Sequence, residues 1–508
     1  MPDQNSQPGK ASALKRLRRF FGNPISLVGL ALAVVAFGNF LFLFFLDLTS
    51  PHPSPYIGIL AYMVAPAFLV AGLALIVFGG WYDRRKRSRE PGKEIRYLAI
   101  DFNDPSQRGA VAFVFSFLVA FIGLSVVGSY KAYEFTDSVQ FCGQLCHSVM
   151  NPEFTAYQLS PHARVACVDC HVGAGATWYV KSKLSGARQV IATTFKTYPR
   201  PIPTPVHDLR PAAETCEQCH WPKKFYGAQL KVFTHYASDE KNTPRQIRML
   251  INTGGGDPAT GAPEGIHWHM NISTVITYVS DEKRQAISYV RVQDRQGRVT
   301  EYYAKDSTLS KEQIARAPKR RMDCVDCHNR PTHIYVPPDQ AVDRSLLARR
   351  LDSSLPYLKQ QSVAALTGNY ETTPAAIEGI AKAIESYYES KYPDLAKSKE
   401  LEIRSAVEEL QRIYRDTAFP EMKVNWQTHS NNIGHFYFSG CFRCHDEQHV
   451  SPDGKVLAKA CDSCHTVLSQ EEGGVSLIPA SKVTFQHPID LGDLTQVNCS
   501  DCHTGGGQ

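Results

Sequence analysis

The 14 cysteines of this 508-residue chain fall into seven pairs: Cys142 and Cys146, Cys167 and Cys170, Cys216 and Cys219, Cys324 and Cys327, Cys441 and Cys444, Cys461 and Cys464, Cys499 and Cys502. The second member of every pair is followed at once by a histidine: His147, His171, His220, His328, His445, His465 and His503. Six motifs read "CVDCH", "CEQCH", "CVDCH", "CFRCH", "CDSCH" and "CSDCH"; the first, "CGQLCH", has three residues between its cysteines. Cys-x-x-Cys-His is the attachment signature of haem c. Two thiols add across the two vinyl groups of one haem, and the adjacent imidazole reaches the iron. No cysteine is left over, so Cys142 and Cys146 count as a seventh site with a stretched spacing, and the expected cofactors are seven covalent haem c groups. A disulfide framework or zinc knuckles would not demand histidine after every pair. Motifs this close together leave little room for an ordinary apolar core, so stacked haems are expected to supply most of the buried surface.

Phe20–Leu46, Tyr56–Tyr82 and Gly109–Tyr130 contain no Asp, Glu, Lys or Arg. Each reaches the roughly 20 residues needed to cross a hydrocarbon core. The first is too long for a signal peptide and lacks a small-residue cleavage site, so it reads as an uncleaved span. Residues 1–23 carry a net +4 and the loop 83–109 a net +3, while "DLTSPHPSPY" has neither Lys nor Arg. The positive-inside rule then puts the N-terminus and that loop in the cytoplasm and everything after Tyr130 in the periplasm of a bacterial inner membrane, where haem c is attached. The formal +6 is thus a topology signal that leaves residues 110–508 neutral, and nucleic-acid binding is not expected. The spans contain no histidine, so they anchor the chain and hold no haem b. Cys142 lies 12 residues beyond the last span, about 18 Å if helical, which makes haem 1 the natural entry point.

The fold class expected is mainly α: a three-helix transmembrane anchor plus periplasmic multihaem domains with few regular elements, a small β insertion and a helical spacer. The expected boundaries are a tail 1–19, an anchor 20–130 (spans 20–46, 56–82 and 109–130, cytoplasmic loop 83–108), a tetrahaem domain 131–340, a spacer 341–420 and a trihaem domain 421–508. "STVITYVSD", "QAISYVRVQD" and "RVTEYYAKD" read as strands of an insertion about 230–310, with a turn at Gln296-Gly297. "NTGGGDPATGAPEG" reads as a flexible surface loop, because no P-loop Lys-Ser/Thr follows it. In the spacer, Thr373 and Pro374 are expected to open one helix, with Ile377, Ile380, Ile384 and Tyr387 on its apolar face. Ile403, Val407, Leu410 and Tyr414 mark a second helix.

A low-spin haem needs a sixth ligand, usually His or Met. Beyond the attachment histidines, the exported part has His162, His207, His235, His267, His269, His333, His429, His435, His449 and His487, more than six or seven haems require. Together with Met150, which follows the first motif, the distal candidates are His162, His267, His269, His333, His435, His449 and His487. His162 precedes Cys167 by only five residues and is expected to reach another haem.

"CGQLCHSVM" after a membrane helix, "SPHARVACVDCHVG", "WYVKSKLSG" and "CVDCHNRPTH" resemble the NapC/NirT family of membrane-anchored multihaem quinol dehydrogenases over roughly residues 110–340. The resemblance implies that Met150 serves haem 1, that His162 and His333 are cross-ligands, and that His267 or His269 is the family's mid-chain histidine. It also implies a quinol site at Lys181 and Lys183. The chain departs from the family in three ways: a longer first motif with Met150 three residues past its histidine, no acidic residue in "LSGARQV" after those lysines, and three spans with seven haems where one and four are usual. The larger architecture resembles the inner-membrane cytochromes that metal-reducing bacteria use to pass quinol electrons outward. The expected function is therefore a quinol dehydrogenase that oxidises menaquinol from the membrane quinone pool and delivers electrons to periplasmic c-type cytochromes, for respiration with extracellular or metal acceptors. It would depend on the cytochrome c maturation machinery, and the two additional spans are available to a membrane partner. The alternative is a non-catalytic electron-transfer subunit docked to a periplasmic reductase.

Overall fold

The computed structural model describes residues 23–49, 64–87, 103, 105–172, 176–206, 209–221, 227–254, 265–270, 274–477, 485–492, 494 and 497–506. The N-terminal basic cluster, the loop between the first two spans, most of the 83–109 loop, the core of the Gly-rich loop, His207, and the side chains of His147 and Lys183 lie outside the described residues. Two compact units, 1–145 and 146–508, make up the chain.

In the first unit, α1 (Pro24–Thr49) and α2 (Ala65–Arg87) pack on each other through small residues. A Cβ added to Gly29 would sit 2.7 Å from the Gly72 carbonyl oxygen, and one on Gly72 would sit 2.7 Å from the Ala33 nitrogen. Close backbone approach of this kind is how helices associate where water supplies no driving force. The buried Ser26 hydroxyl donates to the Ile76 carbonyl at 3.2 Å. Among the described residues, two helices are long and apolar enough to cross a membrane, over Pro24–Phe45 and Ala65–Asp83. The third apolar run belongs to α3 (Pro105–Thr136), which presents Phe115, Val119, Leu124 and Val127 outward. A π turn, Phe141–Leu145, ends the unit.

The second unit opens with α4 (His147–Gln158) and α5 (Ala176–Thr194). Nine strands follow among the described residues: β1 (Gln229–Tyr236), β2 (Pro244–Ile251), β3 (Val275–Ser280), β4 (Ile287–Gln293), β5 (Val299–Ala304), β6 (Arg320–Arg321), β7 (His449–Val450), β8 (His465–Glu472) and β9 (Val475–Ser476). They form two antiparallel sheets, β1-β2-β8-β9 and β6-β3-β4-β5-β7. β3, β4 and β5 lie within the three stretches whose Val, Ile, Thr and Tyr suggested strands, and Gly297 takes the positive φ of 77° that the intervening turn requires. β1 and β2 fall at the start of the insertion expected at about 230–310, though neither was singled out as a strand. The C-terminal segment is not a free-standing module, because β8 pairs with β2 and β7 with β5.

Between the sheet strands and the last motifs sits a helical core of α6 (Pro338–Leu347), α7 (Leu358–Leu366), α8 (Thr373–Lys391), α9 (Pro393–Ser398) and α10 (Glu400–Thr417). It buries Leu351, Leu355, Leu358, Ile380, Ile384, Tyr388 and Leu410 completely or nearly so. Two expectations shift by one residue. Thr372, not Thr373, caps α8, accepting from the Ala375 amide at 3.3 Å, while Thr373 is held by the Glu421 carboxylate. Tyr388 is the buried aromatic at the end of the α8 face, and Tyr387 lies only partly buried beside it. Inside this core the Lys359 ammonium meets Asp343, both buried, and Asp343 also receives the Tyr236 amide from β1 at 3.0 Å.

Candidate functional site

Each Cys-x-x-Cys segment is one tight turn. Cys167–His171, Cys324–Cys327 and Cys499–Cys502 are single α turns, and Cys216–Gln218, Gly440–Arg443 and Cys461–Ser463 are 3-10 turns. Residues three apart share one side of such a turn, so both thiols face one way. In the third motif Cys219 closes the turn, its amide donating to the Cys216 carbonyl at 3.1 Å. Cys170, Cys219, Cys461 and Cys502 are exposed, and the other ten cysteines are half-buried. Where the motif reads x-Asp-Cys, the Asp side chain caps the turn it belongs to. Asp169 accepts from the Ala166 amide at 3.2 Å, Asp326 from Asp323 at 2.7 Å and Asp501 from Asn498 at 2.9 Å. In the first motif the extra residue falls in the π turn Phe141–Leu145, whose wider winding takes up one residue more than an α turn.

Six of the seven attachment histidines face a second histidine. Ring centres are 6.3 Å apart for His171 and His333, 5.9 Å for His220 and His162, and 6.3 Å for His328 and His267. They are 5.9 Å apart for His445 and His269, 6.1 Å for His465 and His435, and 6.2 Å for His503 and His487. A metal about 2 Å from each of two opposed imidazole nitrogens sets ring centres about 6 Å apart. The residues present therefore fit a six-coordinate haem at motifs two to seven. The other ring nitrogen is repeatedly tied to a carbonyl: Nδ1 of His267 to Thr253 at 2.6 Å, of His269 to Ile266 at 2.7 Å, of His333 to Glu153 at 3.0 Å and of His487 to Ile489 at 2.8 Å. That bond fixes ring orientation and leaves Nε2 to the metal. Burial pushes His171, His269, His328, His435, His465 and His503 below the usual 6.5, and His333 down to about 4. Neutral imidazole is the ligating form.

The elements explain the pairing. β6 runs straight into the fourth motif, with the Met322 amide donating to Ile276 of β3 at 2.8 Å. One face of that sheet, with Ile276, Tyr278 and Val290, packs on Trp268 between His267 and His269, and on Cys444 of the fifth motif. The single 3-10 turn Ile266–Met270 therefore serves both the fourth and the fifth motifs. His465 opens β8 opposite Ile251 of β2, two residues before the carbonyl that holds His267. Pro337 and Trp426 crowd Gly505, and the Trp426 indole donates to Thr504, seating the last motif against the helical core.

Burial raises the thiols of Cys170, Cys441, Cys464 and Cys499, and takes Cys324 and Cys444 to about 12 and Cys327 to about 11. After burial, thiols of neighbouring motifs add to the effect: Cys216 on Cys170 and, behind Asp323, on Cys324; Cys441 on Cys327 and Cys464; Cys461 on Cys499. Cys219 adds a smaller push on Cys170, so both thiols of the third motif stand near the second. Motifs two to seven are thus spatial neighbours in chain order.

His449 is a correction to the distal candidates. It is 1% exposed, with Nδ1 on the Asp446 carboxylate at 2.9 Å and Nε2 on the Ile287 carbonyl at 3.0 Å, so it locks β7 to the sheet and has no nitrogen left for a metal. Met150 follows His147 by three positions in α4. Lys181 is an exposed residue of α5. Sequence reasoning passed over Arg330, whose buried guanidinium donates to the His333 carbonyl at 2.6 Å and lies 4.8 Å over the Tyr335 ring. Its position between the fourth motif and His333 was the available signal. Among the described residues no cysteine is in a disulfide, and no group of three or more His, Cys, Asp or Glu gathers as a zinc site would need.

Residues 105–201 match the model of the NapC/NirT cytochrome c family, N-terminal region, and residues 435–507 match cytochrome c3. The chain is 46% identical over 495 residues to the cytochrome c-type protein ImcH of Geobacter sulfurreducens, covering 96% of each chain. No solved structure matches. With opposed histidines beside its Cys-x-x-Cys-His turns, apolar N-terminal helices and a relative aligned along nearly its whole length, this chain belongs to the NapC/NirT family of membrane-anchored multihaem c-type cytochromes.

Proposed function

We propose that the chain carries seven covalent haem c groups, oxidises menaquinol at the periplasmic surface of the inner membrane, and passes the electrons to soluble periplasmic cytochromes, ending on extracellular or metal acceptors. The N-terminus is cytoplasmic and three spans, α3 being the third, hold the haem-bearing part on the membrane. Four motifs in 131–340 and three in 421–508 surround the helical spacer 341–420. What carries this reading is the set of six opposed histidine pairs on motifs that neighbour one another in chain order.

Haem supplies one-electron carriage, and the chain's task is to hold each group and set its environment. In this reading His171 with His333, His220 with His162, His328 with His267, His445 with His269, His465 with His435 and His503 with His487 would each hold one haem iron. Haem 1 differs, with Met150 and His147 on one helix as its local donors. Lys181 and Lys183 hold a quinol oxygen as menaquinol releases two electrons and two protons, and electrons leave along motifs two to seven. Purified protein should be reduced by a menaquinol analogue with no partner added, and a quinol-site inhibitor should block that reduction. Lys183→Met should slow it while haem content stays at that of the wild type. Reduction that depends on a second protein would sink the quinol dehydrogenase assignment.

A further inference from the structure

α5 is a 19-residue helix whose described side chains, Lys181, Ser182 and those from Leu184 onward, lie largely exposed. Of its described side chains, none is buried, and Leu184, Ile191 and the following Phe195 are 69%, 59% and 72% exposed. Their spacing of seven and then four residues sets them on one stripe, which runs about 16 Å along the helix axis. The Phe195 amide still donates to the Ile191 carbonyl at 3.0 Å, so the helical winding carries through to it. A helix of this length holds its shape in water chiefly by burying an apolar face, and the described residues leave Leu184, Ile191 and Phe195 exposed.

The charge around the stripe is one-sided. From Val172 to His207 there is no Asp or Glu, while Lys181, Lys183, Arg188 and Lys196 fall in or just after α5. Arg200, the remaining cation, is occupied by the Tyr198 hydroxyl and the Glu421 carbonyl. An apolar stripe flanked only by cations is the pattern of a helix lying in a bilayer interface, its apolar side among acyl chains and its cations among anionic headgroups. The contrast within the unit is informative. α10, also amphipathic, turns Ile403, Val407, Leu410 and Tyr414 into the protein core and carries acids and bases together on its outer side. The haem expected at Cys167 and Cys170 is tethered 17 and 14 residues before Leu184 in the chain.

We infer that α5 is a membrane-surface helix: Leu184, Ile191 and Phe195 insert into the outer face of the same bilayer that holds α1 and α2, and Arg188 and Lys196 meet anionic phospholipid. This rests on the reading of the chain as membrane-anchored. It gives the haem-bearing unit a second attachment to the membrane, beside the lysines proposed to hold quinol.

The test uses the full haem-loaded chain in lipid nanodiscs, with photoreactive benzoylphenylalanine placed singly at Leu184, Ile191, Val34 of α1 or Leu401 of α10. Mass spectrometry after irradiation should find lipid adducts at Leu184, Ile191 and Val34 and none at Leu401. The double variant Arg188→Glu, Lys196→Glu should lower adduct yield at Ile191 several-fold in discs containing phosphatidylglycerol and leave it unchanged in phosphatidylcholine discs. Adducts at Leu184 and Ile191 with another polypeptide, or with a haem peptide of the same chain, would overturn the inference while Val34 still reports lipid. Loss of lipid adducts at Val34 itself would instead end the membrane-anchor reading, and this one with it.

Discussion

His267 and His269 stand two residues apart in one 3-10 turn, yet each faces the histidine of a different motif. Their ring planes differ sharply: His267 lies 2° from His328, and His269 lies 87° from His445. Near-parallel axial imidazoles give a rhombic low-spin electron paramagnetic resonance signal, and near-perpendicular ones give a highly anisotropic signal. His267→Met should therefore delete a rhombic component, and His269→Met an anisotropic one. Each variant should keep its full complement of covalent haem by mass spectrometry; the same spectral loss from both would contradict the pairing. At this scale the thiol–histidine turns were legible outright, because each is built within five or six consecutive residues. The spelling could not separate His449 from His435 or His487, because what disqualifies His449 is a carbonyl on β4, 162 positions away.

Among the elements, the helical core is where ordinary folding physics dominates. Its apolar period was readable, while the last buried aromatic and the cap each moved by one residue: Tyr388 and not Tyr387 closes the buried face, and Glu421 from beyond α10 claims Thr373 and leaves Thr372 to cap α8. Glu409 on α10 ties the bundle to the turn after α6. Burial works to raise its pKa, but bonds from Arg412, Ser345 and Arg350 prevail and bring it from 4.5 to about 2. The unfolded chain binds that proton near 4.5, so the stability this carboxylate adds is whole above 4.5 and is lost as pH falls toward 2. Thermal unfolding followed by helical circular dichroism should show Glu409→Gln less stable than wild type at neutral pH, with the difference closing across that window. A difference that persists at the acid end would refute the linkage. β2 and β8 were not singled out because they pair with each other across more than 200 positions, and β1 because five of its eight residues are exposed, so no buried-face alternation marks it.

For the whole molecule, the order of motifs in space is the property with functional weight. Neighbouring thiols link motifs two to seven one after another, the order that the proposed electron path follows. Cys461→Ala with Cys464→Ala removes the attachment of haem 6 and should sever it. The mature chain should then be one haem lighter, menaquinol should still reduce the upstream groups, and electron delivery to a soluble periplasmic cytochrome should slow sharply. Undiminished delivery would mean that another haem is the exit. The sheets make the order possible: β7 and β8 carry the fifth and sixth motifs back into sheets built from residues 229–304, so the two clusters of motifs interlock.

From its residues alone this chain declared its thiol–histidine turns, the apolar runs of its anchor and the helical character of 341–416, since each depends on neighbours within a turn or two. Which distal histidine faces which motif, why His449 faces none, and how the C-terminal motifs thread into earlier strands were decided by contacts between residues tens to hundreds of positions apart. Such contacts leave no periodic trace in the sequence, because a ligand's partner is set by where the backbone returns and not by what stands beside it.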